Sequence, residues 1–168
     1  MAVSTLSKSD PRQPKLYRGG SDVNELTYGS DEANSMTFTV RHFVYSNAGA
    51  ITDAEPSTDI LGLAGKAATN VTSGNVEIPV YVIQPGDRLL IQVEDGSGNP
   101  EASDTTCVVG TAYGIKAFSA NVPSRIDSSN ASNDQFTYLG PYLDATGASS
   151  YWGWFTPNVD ILQSSDGA

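Results

Sequence analysis

The chain has 168 residues, with nine basic and nineteen acidic side chains and a formal net charge of −10 at pH 7. That length suits one domain able to bury a sizeable core. Its single cysteine, Cys107, excludes an internal disulfide and any cysteine-based zinc or redox motif.

The charge is uneven. Lys8, Arg12, Lys15 and Arg18 stand against Asp10 in the first twenty residues, giving +3, while the remainder carries −13. An acidic body repels phosphate backbones, so nucleic acid is not an expected partner. No stretch approaches the roughly 20 apolar residues of a membrane span, and the N-terminus has no apolar signal core. The expectation is a protein made in a cytoplasm, with no membrane partner.

Residues 1–34 are rich in polar and turn-forming types, including Pro11, Pro14, Gly19, Gly20 and Gly29, and show no useful periodicity. They read as an extended basic arm: either a disordered tail, or a segment that orders along a partner. Leu6, Leu16 and Tyr17 are its apolar anchors, and Lys8, Arg12, Lys15 and Arg18 its charges.

At Met36 the pattern changes, opening an acidic β-rich domain over residues 35–168. Met36-Thr37-Phe38-Thr39-Val40 alternates as a half-buried strand does. The alternation slips across Arg41-His42-Phe43-Val44-Tyr45, which predicts a bulge or a strand covered on both faces. A short apolar segment, Ile60-Leu61-Gly62-Leu63-Ala64, precedes a polar loop over 69–75.

Residues 76–94 read as a hairpin. Val76, Ile78, Val80 and Val82 share one face, Gln84-Pro85-Gly86-Asp87 is a turn, and Leu89, Ile91 and Val93 alternate with Leu90, Gln92 and Glu94. Pro79 lacks a ladder donor and predicts an edge strand or a bulge. Further strands are expected at about 105–118, 134–139, 151–156 and 158–163. No helix longer than two turns is expected. The fold class is therefore mainly β, a single compact antiparallel barrel or sandwich domain behind the arm.

Chemistry-bearing patterns are sparse. His42 is the single histidine, lies in a strand-like run, and has no Gly-x-Ser-x-Gly elbow to pair with. A phosphate loop fails, because Gly65-Lys66 is followed by Ala67 and is preceded by Ile60 where glycine is needed. The acidic loop from Glu94 to Glu101 offers oxygen ligands at alternate positions. Pro100 and Thr106, however, stand where a calcium loop needs glycine and glutamate, so the loop reads as a solvated turn. The chain is expected to be non-enzymatic, with no metal or cofactor.

The densest aromatic run is Tyr151-Trp152-Gly153-Trp154-Phe155. In a strand it places Tyr151, Gly153 and Phe155 on one face, and Trp152 and Trp154 on the other. Core packing, a subunit interface and a sugar-stacking platform all use such residues. Tyr151, Trp152, Trp154 and Phe155 thus join the arm residues as candidate interface positions.

Asp59-Ile60-Leu61-Gly62-Leu63-Ala64, then Val76-Glu77-Ile78-Pro79-Val80-Tyr81-Val82-Ile83-Gln84-Pro85-Gly86-Asp87, then Val109-Gly110-Thr111-Ala112-Tyr113-Gly114-Ile115 resemble, in order and spacing, the head decoration (cement) proteins of tailed bacteriophages. The resemblance implies a compact β domain on the outer surface of the capsid. There it would bridge major capsid protein subunits as a homo-trimer, with no catalysis. The alternative is a carbohydrate-binding or fibre-type β module using the Tyr151–Phe155 cluster.

Overall fold

The computed structural model describes residues 14–22, 28–31, 36–47, 50–53, 59–71, 77–116, 124–130, 133–143, 147 and 149–162. The fold is mainly β and sandwich-like, and one of its antiparallel sheets curls as a half-barrel. The strands are β1 (Lys15–Arg18), β2 (Ser21–Asp22), β3 (Tyr28–Asp31), β4 (Met36–Phe38), β5 (Phe43–Asn47), β6 (Ala50–Asp53) and β7 (Gly62–Ala64). They continue with β8 (Ala68–Val71), β9 (Glu77–Val82), β10 (Arg88–Glu94), β11 (Ala112–Tyr113), β12 (Arg125–Asp127), β13 (Phe136–Leu143) and β14 (Ser149–Pro157). A four-residue helical turn, α1 (Ser103–Thr106), and a 3-10 helix over Val159–Ile161 complete the described elements.

The large sheet runs β11-β13-β14-β10-β1-β2, and β12 also pairs with β10. The second sheet runs β3-β9-β7-β5-β6, and β4 pairs with β8 in a small third one. On one side of β10, antiparallel β1 takes Arg88 to Leu90 and parallel β12 takes Gln92 to Glu94. On the other side β14 pairs from Leu89↔Phe155 to Gln92↔Trp152.

Strand alternation sorts β10 as the sequence predicts. Leu89, Ile91 and Val93 point into the main core with Leu16, Phe155, Tyr138, Phe136 and Ile126, and they meet Phe43 and Leu63 of the second sheet there. The opposite face of that second sheet buries Val44, Ile51, Ile78, Val80 and Val82, and Phe38 of β4 closes over them. Each such aliphatic or aromatic side chain contributes about 1.5–3 kcal/mol when taken from water.

Four expectations are corrected. Residues 76–94 are not a hairpin: β9 belongs to the second sheet and β10 to the large one, so the turn at 84–87 is a corner between sheets. The turn itself is present, closed by Asp87 N donating to Gln84 O at 3.1 Å. β9 already has β3 on one edge and β7 on the other, so it has no edge left for β10.

Pro79 is not on an edge, since β9 lies between β3 and β7. Its carbonyl accepts from Gly65 N at 2.7 Å, one residue past the end of β7, so its missing N–H falls where that ladder stops. The expected strand at 105–118 is instead α1, a turn and the two-residue β11, and that at 158–163 is largely the 3-10 helix. The slip after Val40 begins with a turn in which Arg41 adopts φ 67°, a left-handed conformation. β5 then runs covered on both faces, as one of the two expected outcomes had it, with Phe43 in the main core and Val44 in the second cluster.

Three strands fall within the segment expected as an arm. β1 lies between β10 and β2 in the large sheet, and β3 adds to β9. Leu16, opposite Leu89, has no exposed surface. Residues 1–13 lie outside the described residues.

Gly62 shows why a small residue sits in β7. A Cβ there would run into the Tyr81 carbonyl oxygen and stand 2.7 Å from Val80 Cγ1, so the close approach of β7 to β9 depends on glycine.

Candidate functional site

The outer face of the large sheet carries the aromatic residues singled out in the sequence. Trp154 pairs with Leu90 and Trp152 with Gln92, while Tyr17 lies opposite Arg88. Leu90 and Trp152 are buried there, with Tyr17, Tyr142, Tyr151 and Trp154 packed around them. Tyr17 meets the Trp154 ring edge-on at 5.2 Å and 66°, and Tyr142 meets it from another side at 6.2 Å and 61°.

Alternation decides which candidates can touch a partner. Trp152 is 1% exposed and Phe155 is fully buried, so both are core residues and neither is an interface anchor. Phe155 faces inward against Tyr138 at 5.2 Å. Gly153 leaves space for both rings, because a Cβ there would stand 2.7 Å from Tyr138 and 3.0 Å from Phe155. Tyr151 and Trp154 are half-buried.

Of the basic candidates, Lys15 is exposed on β1, and Leu6, Lys8 and Arg12 lie outside the described residues. Arg18 is occupied internally. Its Nε donates to Asp87 Oδ1 at 2.9 Å, and its Nη2 donates to Asp87 Oδ2 at 2.8 Å and to Val82 O at 2.9 Å. The Asp87 hydrogen bonds raise the Arg18 pKa against the lowering effect of burial. This fork clips β1 to the corner between the sheets.

Beside the clip lies a cleft of about 610 Å³ lined by Tyr17, Gly19, Gly20, Gly86, Arg88 and Trp154. The β1–β2 turn supplies Gly19 (φ 59°) and Gly20 (φ 85°), and the sheet corner supplies Gly86 (φ 86°). These glycines are required by conformation and not by crowding, since a Cβ at each would meet nothing within 4 Å. Arg88 is exposed on the cleft wall, and its side chain, unlike that of Arg18, makes no hydrogen bond or ion pair to a described residue.

Further along the same face the polar groups are underpaired. Arg125 Nη1 donates to Glu94 Oε2 at 2.9 Å. Yet Glu94 Oε1, Arg125 Nε, Trp152 Nε1 and both polar side-chain atoms of Gln92 are buried without a hydrogen-bond partner. Each such group costs about 1–3 kcal/mol. Desolvation raises the Glu94 pKa, partly offset by Arg125.

At the far edge of this sheet is an apolar rim that sequence reading missed. Val108 and Val109 are each 65% exposed and Leu139 is 39% exposed. Gly110 N donates to Tyr138 O and Tyr138 N to Thr111 O, both at 2.9 Å, which holds the 108–111 turn alongside β13. Leu139 is the extra residue of a bulge between the Tyr138↔Phe155 and Gly140↔Trp154 pairs. α1 ends at Thr106, and beyond it Cys107 turns inward while Val108 and Val109 turn outward.

His42 is 3% exposed, and desolvation lowers its pKa from 6.5 to about 4. It is held as a neutral buried side chain. Burial pushes the Cys107 thiol up to about 11. In the acidic loop, Asp95 Oδ1 accepts from Ser97 N and Asn99 N, and Oδ2 from Asn99 Nδ2, so the carboxylate is spent on closing its own turn. Among the described residues, no three His, Cys, Asp or Glu side chains are grouped so as to hold a metal ion, and no helix is long and apolar enough to cross a membrane.

No protein-family model matches the chain, and comparison with curated proteins and with solved structures found no match either.

Proposed function

We propose that the chain is a structural, non-catalytic protein that docks on other protein subunits. Its specific role in this reading is a capsid decoration protein on the outer surface of a tailed-phage head. It bridges neighbouring major capsid protein subunits, as a homo-trimer matched to local threefold symmetry.

The observation that carries this reading is the rim of Val108, Val109 and Leu139. Three apolar side chains this exposed, carried on a turn and on the strand bulge next to it in a chain of strongly negative charge, suit a protein contact better than open solvent. The rim also borders a sheet edge, because β11 and the Gly110–Thr111 turn pair with β13 only from Phe136 to Tyr138. Such an edge is protected when a partner covers it. The motif resemblance supplies the capsid as that partner. His42 supports the non-catalytic part, since a buried imidazole that titrates near pH 4 makes a poor base at neutral pH.

The test is co-sedimentation of the full chain with undecorated, expanded phage heads. The wild type should bind at micromolar concentration, and Val109→Asp with Leu139→Asp should not. Both sites are exposed, so the double variant should keep its stability within about 1 kcal/mol. Absence of wild-type binding would sink the proposal, as would unimpaired binding by the double variant.

A further inference from the structure

We propose that the cleft between the β1–β2 turn and β14 is a saccharide subsite that takes a sugar residue bearing a carboxylate. This site is separate from the apolar rim and independent of the capsid reading.

Three features converge. The first is the aromatic corner. Tyr17 and Trp154 meet at 66°, so one ring gives a wall and the other a floor, and both line the cleft. A pyranose ring has one face of C–H groups that stacks on such a surface while its hydroxyls stay in reach of polar groups.

The second is the glycine lining. Gly19, Gly20 and Gly86 bring bare backbone to the cleft, where peptide N–H and C=O groups serve the many hydroxyls of a sugar without side-chain obstruction. A groove built for an apolar peptide would carry aliphatic side chains at these positions.

The third is Arg88. It is exposed at the cleft wall, whereas Arg18 nearby is fully committed to Asp87. A guanidinium fork matches one carboxylate with two parallel hydrogen bonds. Among the described residues, Arg88 is the one cationic side chain lining the cleft, in a chain with net charge −10. That field disfavours nucleic acid and polyphosphate ligands far more strongly than a singly charged acidic sugar.

The structure also reassigns the stacking residue. Trp152 is buried beneath the sheet's aromatic cover, so Trp154 with Tyr17 forms the platform.

The full chain is titrated with galacturonate and sialyllactose as acidic probes, and with galactose and lactose as their neutral counterparts. Intrinsic tryptophan emission gives the readout. Trp154 borders the cleft and Trp152 does not, so saturable change on ligand addition reports on Trp154. At least one acidic probe should bind more tightly than its neutral counterpart, with the preference weakened at high salt. Arg88→Gln, at an exposed site, should lose about tenfold in affinity for the acidic probe and little for neutral sugar.

Calorimetric titration of Trp154→Ala should show no binding, and Trp154→Phe should restore part of it, which separates loss of stacking from loss of fold. Equal affinity for acidic and neutral probes would overturn the proposal. So would absence of any binding at millimolar sugar, or wild-type affinity in Arg88→Gln. If Trp154→Ala abolishes sedimentation with phage heads while no sugar binds the wild type, the cleft is a protein contact and the saccharide assignment falls.

Discussion

Leu16→Ala tests whether the N-terminal segment is structure or attachment. Leu16 is fully buried, pairs across the ladder with Leu89, and packs in the main core with Ile91 and Phe155. Removing its isobutyl group forfeits the transfer free energy and leaves a cavity in a region where both sheets meet. For sites of this kind the loss is about 2–5 kcal/mol. The core around Leu16 is bounded by strands on both sides, which limits collapse into the gap and favours the middle of that range, about 3 kcal/mol. In a domain of this size that lowers the melting temperature by about 6–12 °C.

The assay is calorimetry or urea unfolding of the full-length variant, with Lys15→Ala as the exposed neighbour that should change stability by less than about 0.5 kcal/mol. A Leu16→Ala loss below about 1 kcal/mol would refute the placement of β1 in the core, and the segment would revert to a detachable arm.

Two other outcomes follow from buried titratable groups. His42 titrates lower in the folded chain than in the unfolded one, so the unfolded state takes up the extra proton between about pH 6.5 and 4. Stability should fall as pH drops through that window. Glu94, with its raised pKa, acts in the opposite sense, so the measured quantity is the difference between wild type and His42→Gln in urea midpoints, and equal pH slopes would contradict the burial of His42. The Cys107 thiol, pushed up to about 11, should resist a disulfide reagent at pH 8 in the native protein and react promptly once denatured, and fast native labelling would be inconsistent with its inward placement.

The alternation of Leu89, Ile91 and Val93 with Leu90, Gln92 and Glu94 gave the two faces of β10 directly, and that pattern is local to the strand. The partner of β10 was not legible. A Pro-Gly turn specifies that the chain reverses, but pairing in a hairpin or crossing to another sheet depends on which faces the rest of the fold covers. β1 was missed for a related reason. Lys15–Arg18 is too short to display a period, and its burial comes entirely from β10 and the core beneath it.

The aromatic run showed its strand and its two-sided character. The half-buried state of Trp154 required Tyr142 from the neighbouring strand and Tyr17, which lies far away in sequence. The exposure of Val108 and Val109 was not legible, because hydrophobicity signals burial only when a regular element carries the side chain inward, and here a helical turn ends first.

The position of β10 has a consequence for how the chain is made. Its partners are an N-terminal strand, the later β12 and the C-terminal β14, so none of its hydrogen bonds is with the strand just before it in sequence. Loop closure must precede every one of these pairings, which places the fold among those that form in milliseconds to seconds. During synthesis β1 emerges first and waits with Leu16 uncovered until β10 follows, and the sheet stays open until Ser149–Pro157 has left the ribosome. A chain cut short before β14 would therefore expose the inner faces of both sheets at once, a species prone to aggregate rather than a smaller domain.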